Sequence, residues 1–231
     1  LDLLTRFARR SFVALAGPLD LLTRFARRSS PMKIAFLRHG PTEWNALGKV
    51  QGHRDIPLSE AGLAKMRALR LPIAVTRTYA SPLLRARQTV QALGLRDAIL
   101  DPRLMEQNWG VWEGLTRDEI LARHGADAFV KAGSGEVFRP GTGESTGELH
   151  ARVASFLTDA ARQDGDAVVV AHLGVLRAAY TLATGWDMAT PMPADLDVSK
   201  ILLLSLAANG LPKIEQLNLE FVARDGSAAH P

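Results

Sequence analysis

The chain has 231 residues, 47% of them hydrophobic, and a formal net charge of +4, enough apolar material for one sizeable core. It contains no cysteine, which excludes disulfides, thiolate metal sites and a cysteine nucleophile, and fits a reducing, cytoplasmic setting. No apolar run approaches the roughly 18 residues of a membrane span.

The first 31 residues stand apart. "LDLLTRFARRS" at 1–11 returns unchanged at 19–29, and the six arginines and two aspartates of this stretch account for the whole net charge. The remaining 200 residues are neutral, so the charge supplies no ground for a nucleic-acid partner. A basic amphipathic helix of this kind can lie on a membrane or act as a transit peptide. The perfect repeat and the Met32 that follows favour a leader that is no part of the fold. A single domain is expected over 32–231, with no membrane role for it.

From Met32 onward strand and helix signals alternate. Residues 33–37 read as a buried strand. Ser59 caps a helix expected to run to Leu71. "TRTYA" (76–80) is a short strand, and Ser81 then caps a helix with Pro82 as its first residue, running to Leu93 and stopping at Gly94. "DAIL" (97–100) is a further strand. Thr116 and Glu119 form a capping box for a helix to His124, and Ser145 and Glu148 form another for a long helix to Gln163. "AVVVA" (167–171) is a fully buried strand, followed by a helix over 173–184. "KILLLSLA" (200–207) and "KIEQLNLEF" (213–221) read as a closing hairpin. Apolar strands separated by helices predict an α/β fold with a mainly parallel central sheet covered on both faces, an α/β/α sandwich. The weakly patterned loop 125–145 has the character of a substrate loop.

In open α/β sheets, ligands bind beyond the carboxyl ends of the strands. His39 lies one residue past the first strand, His172 directly follows "AVVVA", Arg38 adjoins His39, and Arg85 sits in the first turn of the helix after "TRTYA". Two arginines, two histidines and helix N-termini at one edge make a phosphate site. Gly40 would permit a sharp turn, or its carbonyl would fix the His39 tautomer. His53, His124 and His150 are spaced irregularly and form no ligand pattern, so no metal or other cofactor is expected.

"FLRHGPTEWN" resembles the signature of the histidine phosphatase superfamily, in its phosphoglycerate-mutase-like branch. The similarity continues through "QGHRDIPLSEAGLAKMRAL", "YASPLLRARQTVQAL", "RLMEQNWGVWEG", "GTGES" and "VVVAHLGVLRA", in the family's order. The resemblance implies that His39 is the nucleophile that becomes phosphohistidine. It implies that Arg38, Arg85 and His172 form the phosphate pocket, that Glu106 is the proton donor, and that Thr42 and Asn45 contribute to phosphate binding. Glu106 is expected to be partly buried and protonated at the start. The family usually has Gly-Gly after the second histidine where this chain has Leu173-Gly174, and a leucine would be strained if a positive φ were needed there. The substrate side is expected among Arg139, Lys131 and Trp112, with Arg54, Glu43 and Glu113 as further candidates.

The function this implies is a metal-independent phosphatase acting on a small phosphorylated metabolite. A cofactor-dependent phosphoglycerate mutase is the alternative, and a catalytically silent phosphate-binding scaffold is a third. Only residues 107–171 separate Glu106 from His172, shorter than mutases of this family generally have, which favours the phosphatase. "PGTGES" also resembles the branch that includes α-ribazole phosphate phosphatases. A homodimer is left open.

Overall fold

A computed structural model of the chain describes residues 31–129, 139–188 and 190–224. The repeated N-terminal stretch, Lys131 and the middle of the 125–145 loop lie outside the described residues.

Six strands form the central sheet: β1 (Met32–Arg38), β3 (Arg77–Ala80), β4 (Ile99–Leu100), β5 (Ala167–Ala171), β6 (Ile201–Leu206) and β7 (Pro212–Leu219). Their order is β4-β3-β5-β1-β6-β7. β1, β5, β3 and β4 run parallel, with Phe36 opposite Val169 and Val169 opposite Tyr79. β6 enters antiparallel to β1, and β7 returns antiparallel to β6. The mainly parallel sheet predicted from the buried strands is thus present, and the last two strands form the expected hairpin.

β1 is apolar from Ile34 to Leu37 because both faces of the sheet are covered there. Ile34 and Phe36 point into a core with Val169, Leu149, Phe156 and Leu176. Ala35 and Leu37, one residue out of phase, point into another with Val168, Val170, Met66 and Val90. This is the period of two that a pleated strand imposes. The first core is roofed by α5 (Thr146–Ala160) and α6 (Leu173–Thr184), the second by α2 (Glu60–Arg67) and α3 (Leu84–Ala92). Along α5 the buried Leu149, Val153, Phe156, Leu157 and Ala160 recur at helical spacing and form its inner stripe. The result is a three-layer α/β/α sandwich. No described helix is long and apolar enough to cross a membrane.

Three predicted helix bounds differ from those observed. α2 starts at its Ser59 cap as expected but ends at Arg67, because Leu69–Arg70 leave it to form a short strand, β2, with β8 (Val222–Ala223). α3 starts at Leu84, with no side-chain cap from its own N-cap residue. Ser81 is fully buried; its N–H donates to the Val170 carbonyl and its Oγ accepts from the Leu83 N–H. The free end of α3 is capped instead by Asp55, whose carboxylate accepts from the Leu84 N–H at 2.5 Å. α5 stops at Ala160 rather than Gln163. The capping boxes of α4 (Arg117–His124) and α5 form as the sequence predicts.

Candidate active site

Arg38 ends β1 and His39 directly follows it, while His172 directly follows β5 beside it and is the N-cap residue of α6. The pairing of Arg38 with Ala171 and the bond from the His39 N–H to the Ala171 carbonyl, 2.9 Å, hold the two strand ends in step. The two imidazoles consequently face each other, with ring centroids 5.1 Å apart and planes inclined at 57°. Both are buried.

Their tautomers are opposite. Nδ1 of His39 lies 2.7 Å from the Gly40 carbonyl oxygen. A carbonyl only accepts, so Nδ1 carries the proton and Nε2 carries the lone pair. In His172, Nδ1 accepts from Arg85 Nε at 3.2 Å, which leaves the proton of the neutral ring on Nε2. That buried Nε2 has no hydrogen-bond partner among the described residues, and the same is true of Arg38 Nε. Gly40 therefore serves through its carbonyl, as one of the two expectations had it. Its missing side chain serves packing: a Cβ would approach Met66 Cγ to 2.6 Å.

Arg85 is wholly buried. Besides His172, its guanidinium donates to the carbonyls of Arg54 and Gly52, both at 2.8 Å. It therefore fastens the loop after α1 (Glu43–Ala46) to α3 while orienting His172. Burial, followed by Arg38 and then Arg85, pushes the His39 pKa well below that of a free imidazole. Burial and then Arg85 do the same to His172. Both rings are thus neutral near pH 7. Burial also lowers the pKa of Arg38 and Arg85, whose guanidinium groups stay charged.

Glu106 faces the same site and is half-buried, as expected. Its Oε1 accepts from the N–H groups of Gln107 and Gly174, each at 2.9 Å. Leu173 opens α6 in ordinary helical conformation and is not among the residues with positive φ, so the leucine carries no strain. The glycine that the site requires is Gly174, where a Cβ would stand 2.4 Å from Glu106 Oε1. Thr42 and Asn45 bond chiefly to each other: Asn45 Oδ1 accepts from the Thr42 N–H and hydroxyl, and Thr42 Oγ1 accepts from the Asn45 N–H. They cap α1, and the Asn45 amide NH₂ has no hydrogen-bond partner among the described residues. A cavity of about 440 Å³ beside the end of β1 is lined by Arg38, His39, Asn45, Lys65, Lys200 and Phe221, among others.

Of the substrate-side candidates, Trp112 is 1% exposed and packs with Ile120 and Ala128 in a small core of its own. Bulk and aromaticity are what such a core needs, and that packing accounts for the tryptophan. Arg139 is paired with Glu148. Glu113 is a clamp, accepting through Oε1 from the N–H groups of His53 and Trp109. Not foreseen from sequence were Gly174, Glu144, Arg152 and His53. His53, Glu144 and Gly174 lie in stretches that resemble the family, yet nothing in the spacing marks what they touch. Among the described residues, no three His, Asp or Glu side chains gather as metal ligands do.

The histidine phosphatase superfamily (branch 1) model matches residues 34–220. The chain belongs to that superfamily. A metal-independent phosphoserine phosphatase of Arabidopsis thaliana is 35% identical over 171 residues, 68% of this chain and 70% of the relative. A 2,3-bisphosphoglycerate-dependent phosphoglycerate mutase of Mesorhizobium japonicum is 32% identical over 207 residues, 81% of this chain and 93% of the relative. Among solved structures, phosphoserine phosphatase of Entamoeba histolytica in complex with 3-phosphoglyceric acid superposes with a TM-score of 0.67 at 25% identity, covering 81% of this chain and 96% of that one.

Proposed function

We propose that the protein hydrolyses a small phosphate monoester, without a metal, through a phosphohistidine on His39. The observation that supports this most is the pair of opposite tautomers. One imidazole offers a lone pair at Nε2; the other, 5.1 Å away between ring centroids, offers an N–H.

His39 Nε2 attacks phosphorus, and the P–O bond to the alcohol breaks as the N–P bond forms. The Nδ1–H bond to the Gly40 carbonyl stabilises the cationic phosphoimidazole. Arg38, His172 Nε2–H and the N–H groups that Arg85 has left draw charge from the three phosphoryl oxygens. In a loose transition state, such positioned donors carry most of the catalysis. Glu106 Oε2 gives a proton to the leaving alkoxide, Oε1 being held as an acceptor. Water then attacks the phosphohistidine, returns its proton to Glu106 and frees orthophosphate and His39.

The second reading is the mutase. The Mesorhizobium japonicum relative with that name matches over 93% of its length, so the short span between Glu106 and His172 does not by itself separate the two reactions. Relatives named as phosphoserine phosphatases make phosphoserine the first ester to try, and the glucosyl-3-phosphoglycerate phosphatases make glycosylated phosphoglycerate the second. The test is a rapid-quench reaction across such esters, with His39→Ala as control. Alkali-stable, acid-labile label on the peptide holding His39, with phosphate release exceeding phosphoglycerate isomerisation, is expected. Fast isomerisation dependent on bisphosphoglycerate would replace the phosphatase reading with the mutase one.

A further inference from the structure

Glu106 lies between two short 3₁₀ turns, Pro102–Leu104 and Gly110–Trp112, where neither a helix nor a sheet ladder holds the backbone. Its position depends on individual hydrogen bonds. Its carbonyl accepts two, from His53 Nε2 at 2.8 Å and from Arg152 Nη2 at 3.1 Å.

Arg152 reaches the segment from α5. Its Nη1 donates to the Arg103 carbonyl at 2.6 Å, and its Nε and Nη2 grip the Glu144 carboxylate at 2.5 and 2.8 Å. Glu144 adds three contacts of its own. Its carboxylate accepts from the Asn108 N–H at 3.3 Å, its carbonyl accepts from Gln107 Nε2 at 3.1 Å, and its N–H donates to the Asn108 carbonyl at 2.7 Å. One ion pair, with side chains only 18% and 14% exposed, thus holds the chain at residues 103, 106 and 108, and the Glu144 backbone adds contacts to 107 and 108. Both partners are anchored by one rigid element, since Glu144 directly precedes the Ser145 cap of α5.

We propose that Arg152 and Glu144 are positioning residues for the proton donor, fixing where the Glu106 carboxyl stands relative to the ester oxygen. This rests on the reading of Glu106 as the acid. Four of the five guanidinium N–H groups of Arg152 are taken by protein oxygens, so its chemistry is that of a bracket rather than of a receptor for substrate anions. A lysine could supply the charge but not the fork that spans a carboxylate and two carbonyls.

The test uses Arg152→Lys and Glu144→Gln in the full chain, with Glu106→Gln as reference. Single-turnover formation of the phosphoenzyme is measured with phosphoserine and with p-nitrophenyl phosphate, alongside inhibition by orthophosphate. A displaced acid should slow the alkyl ester about tenfold or more, change the nitrophenyl ester less than about threefold, and leave orthophosphate inhibition unchanged. Equal losses on both esters, or a raised KM without the ester bias, would overturn the proposal. If Glu106→Gln shows the bias and neither clamp variant does, the clamp alone is wrong. If Glu106→Gln shows none, the acid assignment fails and the clamp proposal with it. Should Arg152→Lys not fold, Glu144→Gln decides the matter by the same criteria.

Discussion

Arg85 Nε donates to Nδ1 of His172, and that one bond turns the second histidine into a donor at Nε2. Arg85 also closes onto two carbonyls of the facing loop, so its role is to orient as well as to attract. Arg85→Lys keeps a charge but cannot serve all three acceptors. We expect phosphorylation of His39 to slow about 10²-fold, equally for alkyl and aryl esters, because the phosphoryl oxygens are common to both. A loss confined to alkyl esters in single-turnover kinetics would contradict this.

Gly174→Ala should separate stability from activity. Gly174 lies in the first turn of α6 with no positive φ, so alanine suits its backbone and favours the helix by up to about 1 kcal/mol. The same methyl would stand 2.4 Å from Glu106 Oε1. The melting temperature should hold or fall only slightly, while turnover of phosphoserine drops about 10²-fold. Full activity in this variant would mean that the Glu106 carboxyl need not sit where it does.

Glu106→Gln keeps shape and removes the proton. General acid catalysis is worth roughly 10²–10⁴-fold, and a nitrophenolate leaves without it. Phosphorylation by an alkyl ester should therefore suffer far more than phosphorylation by p-nitrophenyl phosphate. Single-turnover rates are the appropriate readout, because hydrolysis of the phosphohistidine also uses Glu106. Identical losses would point to another donor.

Acid should weaken the fold through the two buried imidazoles. Unfolded histidines titrate near 6.5; His39 and His172 titrate well below that in the folded chain, chiefly because of burial. As pH falls below about 6.5, the unfolded state takes up protons that the folded state refuses. Stability is therefore highest above that pH and falls with acidity, by up to about 1.4 kcal/mol per pH unit for each histidine, until the folded-state value is reached. Urea melts at several pH values should show this slope, and His172→Gln should reduce it. An unchanged slope in that variant would remove His172 from the account.

Much of this was legible in the sequence because its causes are local or periodic. The burial of Ile34–Leu37 and of "AVVVA" on both faces announced a covered parallel sheet, and Thr116/Glu119 and Ser145/Glu148 announced their helices. Strand ends then located Arg38, His39, Arg85 and His172. What could not be read depends on distant partners. α2 stops early because Leu69 and Arg70 pair with residues near the C-terminus, and α3 is capped from Asp55, in another loop. The small core that Trp112 shares with Ile120 and Ala128 likewise brings together residues whose spacing does not announce it. The bracket of Arg152 on the Glu106 carbonyl leaves no periodic trace, since a charged residue on a helix ordinarily faces water.

The sheet order has a consequence for how the chain comes into being. β1 is the first of the sheet strands to be synthesised, yet its two neighbours, β5 and β6, come from the last third of the chain. During translation an unpaired apolar strand must wait for most of the polypeptide to emerge, an exposure that invites aggregation. His39 meets His172 only when β5 docks, so turnover should be absent from a C-terminally truncated nascent chain and appear late in refolding. Recovery of activity would then serve as a clock for closure of the central sheet, running behind any signal from the early helices.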